Sequence, residues 1–293
     1  MASDPSSSAA SPYTDLDRPP LRAGALERAL VRPGGLWSAI EVVPALPSTN
    51  SELIGRARAG APGGTVLVTD HQTAGRGRLD RSFHTPPRAA LTFSVLLRPE
   101  VPVDRLGWLP LLMGVAAVSA VERIAEVPAG LKWPNDVLTR TGDGRPDRKL
   151  AGILSEAAFT GERPGVVVGM GLNVAQTRAE LPVETATSLA VEEAACTDRD
   201  PLLRAVLRGL AERFDAWQRN GGDAEASGLA GEYRGRCATI GRRVRAHLPG
   251  GRVLEGEATG VDSGGRLTVR GAEGEEPLSA GDVVHLRRAD GGY

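Results

Sequence analysis

The sequence predicts an α+β protein: a mixed or antiparallel central sheet covered by helices, followed by a small all-β barrel. Three observations carry this. Short aliphatic runs of strand length alternate with segments whose apolar residues recur at helical spacing. Several strand-like runs follow one another directly, as antiparallel neighbours do. Past Thr239 the helical texture stops, and short strand-like runs are separated by Pro-Gly-Gly and Ser-Gly-Gly turns.

Taken in order, residues 1–20 are rich in serine and proline and hold few large apolar groups. Such a segment buries too little surface to offset its ordering entropy, so a disordered leader is expected. Leu21 to Val31 reads as a short helix ended by Pro33-Gly34-Gly35. Ile40–Leu46 reads as a strand, and Ser48-Thr49-Asn50 as a cap for a helix over Ser51–Ala59. Thr65–Thr69 and Ala90–Leu97 are strands, and Arg105–Ala125 one long helix. Leu131–Trp133 and Asp136–Thr139 flank a tight turn at Pro134-Asn135. Leu150–Phe159 and Val166–Val174 are aliphatic enough for central strands. In Pro201–Gln218, Leu203, Val206, Leu207, Leu210, Phe214 and Trp217 repeat at helical spacing, and a further helix runs to about Cys237. Strand candidates at Arg243–His247, Val253–Val261, Arg266–Val269 and Val283–Leu286 make the barrel. The expected organisation is a leader (1–20), a main domain (21–238) and a small β-domain (239–289).

A chain of 293 residues with 41% hydrophobic content supports one large domain or two. Its net charge of −1 argues against a general polyanion as partner. Two distant cysteines, Cys196 and Cys237, form no metal-ligand or disulfide-framework pattern, which fits a reducing cytoplasm. The four histidines lack paired-ligand spacing. No secretory signal is written at the start, and the apolar run Trp108–Val121 is too short to span a bilayer, so no membrane association is expected. A single N-terminal helix is too little for a helix-turn-helix, so sequence-specific DNA binding is not expected.

Four segments carry chemistry. In Gln72-Thr-Ala-Gly-Arg-Gly-Arg-Leu-Asp-Arg81, glycines alternate with arginines. Gly75 and Gly77 permit positive φ and close backbone approach, while Arg76, Arg78 and Arg81 present forked donors for phosphate or carboxylate. A solvated basic loop has the same pattern. In Lys132-Trp-Pro-Asn-Asp136, Asp136 suits a magnesium ion bridging phosphates, Lys132 neutralises phosphate and Asn135 orients it. An Asn-Asp turn bonding its own backbone explains that run equally well. In Lys149-Leu-Ala-Gly-Ile-Leu-Ser-Glu156, Lys149 stands at a strand start where it can bond a carboxylate, and Gly152 opens the strand to a ligand. In Gly169-Met-Gly-Leu-Asn173, two strand glycines suggest a close ligand or a bulge.

In this order and spacing the segments resemble bacterial biotin–protein ligases, over about residues 38–288. The resemblance implies a class II synthetase-like catalytic domain followed by an SH3-like β-barrel. It implies activation of biotin by ATP and Mg²⁺ to biotinyl-5′-AMP, then transfer to one lysine of the biotin carboxyl carrier domain of an acetyl- or acyl-CoA carboxylase. It implies a biotin pocket of Ser48, Thr49, Asn50, Gln72, Gly75, Arg76, Gly77, Arg78, Lys149 and Gly152. ATP falls to Arg78, Arg81, Lys132, Trp133, Asn135 and Asn173, the metal to Asp136, and catalysis to Arg76, Arg78 and Lys149. Adenylation needs little proton transfer, so positioning and fixed cations carry it, and a closing loop keeps water from the mixed anhydride. Two departures stand out. Asp80 replaces the loop glycine usual between the last two basic positions, and the N-terminus reads as that of a monofunctional enzyme. Lipoate–protein ligases share the fold and the acyl-adenylate logic; the Gly-Arg-Gly-Arg and Lys-Trp-Pro-Asn-Asp runs favour biotin. Retention of Lys149, Asp136 and the loop arginines argues against a non-catalytic sensor.

Overall fold

The computed structural model describes residues 18–78, 83–140, 147–159, 164–248, 251–279 and 282–285. Helix α1 (Ala23–Leu30) leads into β1 (Ala39–Val43), α2 (Thr49–Arg58), β2 (Thr65–Thr69) and β3 (Ala90–Leu97). Next come α3 (Trp108–Ala120), β4 (Ala129–Lys132), β5 (Asp136–Thr139), β6 (Lys149–Ala158) and β7 (Gly165–Asn173). Helices α4 (Arg199–Arg219) and α5 (Leu229–Arg236) close the main body.

These strands form one seven-stranded sheet in the order β1-β2-β3-β7-β6-β5-β4. Only β1 and β2 are parallel, and every other pair is antiparallel, which makes the sheet mixed. The pleat divides the side chains between two layers. Leu67, Leu96 and Val167 pack with Leu53 and Ala57 of α2 on one face. Their chain neighbours Val66, Val68, Val95, Leu97, Val166 and Val168 join the larger core with α1, α3 and α4 on the other. Central strands covered on both faces need aliphatic residues throughout, and β3 is buried at all eight positions.

Along the α2 face the side chains change character. Register pairs Leu96 with Val167, then Ser94 with Gly169, then Thr92 with Gly171. Gly169 and Gly171 pair onward with Leu154 and Gly152 of β6. Large residues support α2 at one end, and glycine, serine and threonine leave a recess beyond it. The cleft lies there.

Five further strands, β8 (Arg243–His247), β9 (Val253–Val261), β10 (Leu267–Gly271), β11 (Gly274–Leu278) and β12 (Asp282–His285), build a small antiparallel sheet. Its order is β11-β10-β9-β8-β12. It docks on the main body through the turn after β9. Trp108 Nε1 donates to Ser263 O (3.1 Å), Trp133 Nε1 to Gly265 O (3.1 Å), and Arg105 Nη1 to Ser263 O (3.1 Å).

Three local expectations are corrected. The single helix over Arg105–Ala125 is broken into a 3₁₀ turn (Val103–Arg105), α3 and a π turn (Val121–Ala125) that stops at Glu126, which is left-handed with φ 56°. Residues 103–125 are long and apolar enough to cross a membrane, yet α3 is buried on nearly every side by α4 and the sheet. Strand β11 was not expected, because Glu275, Glu276 and Pro277 are poor strand formers; β11 ends the sheet order, where proline costs no ladder bond. The expected leader falls mainly on residues 1–17, outside the described residues, but Arg18 and Pro19 are held. Arg18 Nη2 donates to Ala175 O (2.8 Å) and Glu180 Oε2 (2.6 Å), and Pro19 O accepts from Arg199 Nη2 (2.7 Å).

Candidate active site

The cleft between the α2 face of the main sheet and the small sheet has a volume of about 1650 Å³. One small ligand needs roughly 300–1,000 Å³, so two reactants fit side by side.

Its floor is a polar knot at the start of α2. Ser48 caps that helix, its Oγ accepting from Ser51 N (3.4 Å). Gln72 Oε1 accepts from Thr49 N (2.8 Å) and Thr49 Oγ1 (3.2 Å), which fixes the amide and leaves Nε2 as its donor. Ser94 Oγ donates to Asn50 Oδ1 (2.6 Å) and lies 2.7 Å from Thr49 Oγ1. Asn50 Nδ2 donates to Leu154 O (3.1 Å) and Glu156 Oε2 (2.9 Å). Gly169 is required beneath this knot, since a Cβ there would sit 2.0 Å from Asn50 Oδ1. Ser94, Glu156 and Phe83 were not singled out from sequence. Ser94 is one serine in an aliphatic strand, and only its register opposite Gly169 gives it meaning.

The Gly/Arg segment crosses the mouth. Arg76 Nη2 pairs with Glu156 Oε1 (3.1 Å) and Nη1 donates to Ser51 Oγ (3.2 Å). Arg78 Nη1 donates to Asn135 Oδ1 (3.3 Å). Neither Gly75 nor Gly77 uses the positive φ that glycine permits. Gly75 is needed for close approach instead: a Cβ there would meet Phe83 O at 2.2 Å, and Gly75 O accepts from Phe83 N (2.9 Å). The Phe83 ring in turn lies over Gly171, where a Cβ would meet it at 2.7 Å. Arg81 and Asp80 lie outside the described residues.

Opposite the segment stands the β4–β5 hairpin. Asn135 is anchored by Nδ2 to Ile153 O (3.1 Å) and by its carbonyl, which accepts from Ile153 N (2.8 Å). Asp136 Oδ1 meets Lys149 Nζ at 2.6 Å. The Lys149 backbone is held by the outer wall, its N–H donating to Thr185 O and its carbonyl accepting from Thr187 N. Trp133, expected beside the nucleotide, is 2% exposed and commits its indole N–H to Gly265. Its backbone N–H donates to Thr239 Oγ1 (3.1 Å), and that hydroxyl lies 3.0 Å from His285 Nε2. Burial first, then the charges of Lys132 and Arg242, push His285 down to about 4, so the imidazole beside Thr239 is neutral near pH 7.

Asn173 closes the far end. Its Nδ2 donates to Thr187 O (2.9 Å) and its Oδ1 accepts from Gln176 Nε2 (2.9 Å). Both halves of the amide are engaged within the wall. The structure therefore lines one cleft with Ser48, Thr49, Asn50, Gln72, Arg76, Gly77, Arg78, Lys132, Trp133, Asn135, Asp136, Lys149, Gly152 and Asn173, and sets Gly75 just behind it. From the small sheet it adds Arg242, Arg243, Val284 and His285. No group of three or more His, Cys, Asp or Glu suited to a metal exists among the described residues. Asp136 alone fits an ion carried mainly by phosphate oxygens, the usual habit of magnesium.

Comparison with known proteins places this arrangement. Residues 42–173 match the model of the biotin/lipoate A/B protein ligase family, and residues 239–286 that of the biotin protein ligase C terminal domain. The chain is 44% identical over 281 residues to the biotin–[acetyl-CoA-carboxylase] ligase of Mycobacterium tuberculosis, covering 94% of this chain and 100% of that one. It is 31% identical to the bifunctional ligase/repressor BirA of Bacillus spizizenii, covering 83% of this chain and 72% of the relative. Among solved structures, the biotin protein ligase from Aquifex aeolicus in complex with biotin and ATP aligns with a TM-score of 0.66 and 29% identity, over 85% of this chain and 98% of that one.

Proposed function

This chain belongs to the biotin/lipoate A/B protein ligase family, and from that premise we propose how its cleft works. It is a biotin–protein ligase: it joins biotin to ATP, forming biotinyl-5′-AMP and pyrophosphate, and passes the biotinyl group to an acetyl-CoA carboxylase. The acceptor is one lysine of a biotin carboxyl carrier domain. One observation carries this reading. The Gly/Arg segment and the Lys-Trp-Pro-Asn-Asp hairpin meet over the cleft through Arg78 and Asn135, 3.3 Å apart, with Lys149 and Asp136 alongside.

The polar knot takes the biotin head. Gln72 Nε2 and the Asn50, Thr49 and Ser94 groups offer donors and acceptors in a walled recess, matched to a ureido ring with two N–H groups and one carbonyl. The acyl tail then runs under Arg76 toward Lys149, past the small floor at Gly152 and Gly171. In the first step a carboxylate oxygen bonds to the α-phosphorus while the bond to the bridging oxygen of pyrophosphate breaks. Negative charge builds on oxygens that Lys149, Arg76 and Arg78 face, and fixed cations need no reorganisation at that moment. Magnesium, held by Asp136 and phosphate oxygens, would supply charge neutralisation of the triphosphate. Lys132, Asn135, Asn173 and Arg81 complete the nucleotide side. In the second step the carrier lysine amine attacks the acyl carbon, a C–N bond forms, AMP departs and the amine gives up a proton.

Incubation with ATP, biotin and a purified carrier domain, read by intact mass, tests the function. Addition of one biotinyl group is expected, with lipoate in place of biotin giving none. Failure to exchange pyrophosphate into ATP in a biotin-dependent way would overturn it. A gel shift with promoter DNA, expected negative, tests the monofunctional assignment.

A further inference from the structure

We propose that Arg199 is a positioning residue for the loop that carries Arg76 and Arg78, acting through Asp70. The inference rests on the ligase reading for its catalytic consequence, though not for its structural one.

Arg199 opens α4 and is only 4% exposed. Its guanidinium serves three segments at once. Nη1 lies 2.9 Å from Asp70 Oδ1 and donates to Ala90 O (3.4 Å), while Nη2 donates to Pro19 O (2.7 Å). Asp70 follows β2 and is the last residue before the segment 71–87. Arg88 and Ala90 stand where that segment returns. Asp70 O accepts from Arg88 N (2.7 Å), and Asp70 Oδ2 lies 3.5 Å from Arg88 Nε. Arg88 has φ 60°, a left-handed conformation unusual for a residue with a side chain. Such a conformation persists where surrounding contacts over-determine it. Here one carboxylate, gripped from two sides, draws both ends of the loop together.

The same clamp reaches the nucleotide wall. Ala89 O accepts from Ala175 N (2.8 Å), and Ala175 O accepts from Arg18 (2.8 Å). Departure and return of the loop, the wall near Gln176, and residues 18–19 are thus fastened to one buried cation. A buried charge pair adds little net stability but is costly to break from one side, which suits it to fixing geometry. Loosening the base lets Gly75–Arg78 drift, and the cations that must face the acyl-phosphate lose their register.

The test uses Arg199→Lys, which keeps the charge but not the fork, and Asp70→Asn, which keeps the shape but not the charge. Hydrogen exchange of the unliganded protein is the readout that needs no substrate. Backbone amides over 71–87 are expected to exchange roughly tenfold faster in both variants, with β3 and β7 keeping their protection. Unchanged exchange over 71–87, or a uniform rise across the sheet, overturns the proposal. With ATP, biotin and carrier, both variants are expected to release AMP without carrier biotinylation several-fold more than wild type, with KM for biotin raised less than kcat is lowered. A ratio of AMP to biotinylated carrier equal to wild type overturns the catalytic half. Absence of turnover in the wild-type protein instead sinks the ligase reading and leaves the exchange result standing.

Discussion

Lys149 Nζ sits 2.6 Å from Asp136 Oδ1 across the floor of the cleft. The cation assigned to the biotin carboxylate and the anion assigned to the metal therefore neutralise each other when neither substrate is bound. On the proposed reading, a cation carried by the triphosphate and held by Asp136 would compete with this pair and free the ammonium for the reacting oxygens. Lys149→Met is expected to lower the rate of biotin-dependent pyrophosphate exchange by about 10²–10³ while lowering the melting temperature by no more than a few degrees, because Lys149 is 42% exposed although Asp136 is only 19% exposed. Single-turnover measurement of biotinyl-5′-AMP formation checks this. A loss below about fivefold would move Lys149 out of the chemistry.

A second place-holder pair sits at the mouth. Glu156 holds Arg76 at 3.1 Å and also accepts from Asn50 Nδ2 at 2.9 Å. On the proposed reading, closing the loop over a ligand breaks the pair, in which Arg76 is 53% and Glu156 27% exposed and which is worth about 1 kcal/mol. Glu156→Gln keeps an acceptor for Asn50 and releases the arginine. Biotin affinity by calorimetry is expected to rise about two- to fivefold, consistent with that energy. A tenfold fall would instead make Glu156 part of the bound state.

Much of this site was legible because its chemistry is local in sequence. Gly-Arg alternation, Asn-Asp in a tight turn and glycines inside an aliphatic strand each report a requirement that neighbouring residues state together. What stayed hidden depends on distant partners. Trp133 reads as a residue of the nucleotide side, and nothing near it in sequence reports that its indole N–H is bonded to Gly265, 132 residues away. Arg199 lies just before the helix foreseen from Pro201 and carries no sequence signal until Asp70 and Pro19 converge on it. Phe83 and Ser94 acquire roles only through Gly171 and Gly169, which register places opposite or beneath them. The fold was readable by the same logic: periodicity showed the amphipathic α4, while the break in the 103–125 helix and the end strand β11 depend on packing that no periodicity records.

Gly169 gives a sharp steric prediction. An added methyl would fall 2.0 Å from Asn50 Oδ1 and 2.8 Å from Ser94 Oγ, neither of which is a free side-chain end. Gly169→Ala is expected to displace Asn50 and fill the recess proposed for the biotin head. Overpacking of this kind costs about 1–3 kcal/mol of stability. Biotin dissociation constants are expected to rise about a hundredfold, since several hydrogen bonds shift together. ATP affinity, measured on the same preparation, is expected to move less than threefold. Equal weakening of both ligands would show a general collapse of the cleft.

His285 links the small sheet to the site through protonation. Its Nε2 lies 3.0 Å from the Thr239 hydroxyl, which also accepts from Trp133 N. Burial, Lys132 and Arg242 hold its pKa down to about 4 against an ordinary 6.5. The unfolded chain therefore binds the proton more readily between those values. Stability conferred by neutral His285 is complete above pH 6.5 and is lost progressively as pH falls toward 4. Discounted for its partial exposure, the loss amounts to no more than about 2 kcal/mol. His285→Gln removes the titration while keeping an amide in place. The difference in Tm between the two proteins is expected to change by several degrees from pH 7 to pH 4.5, with the wild type losing more. Carboxylates titrating in the same range affect both proteins alike and cancel in that difference. A Tm difference independent of pH would mean that the imidazole binds its proton equally well in the folded and unfolded protein.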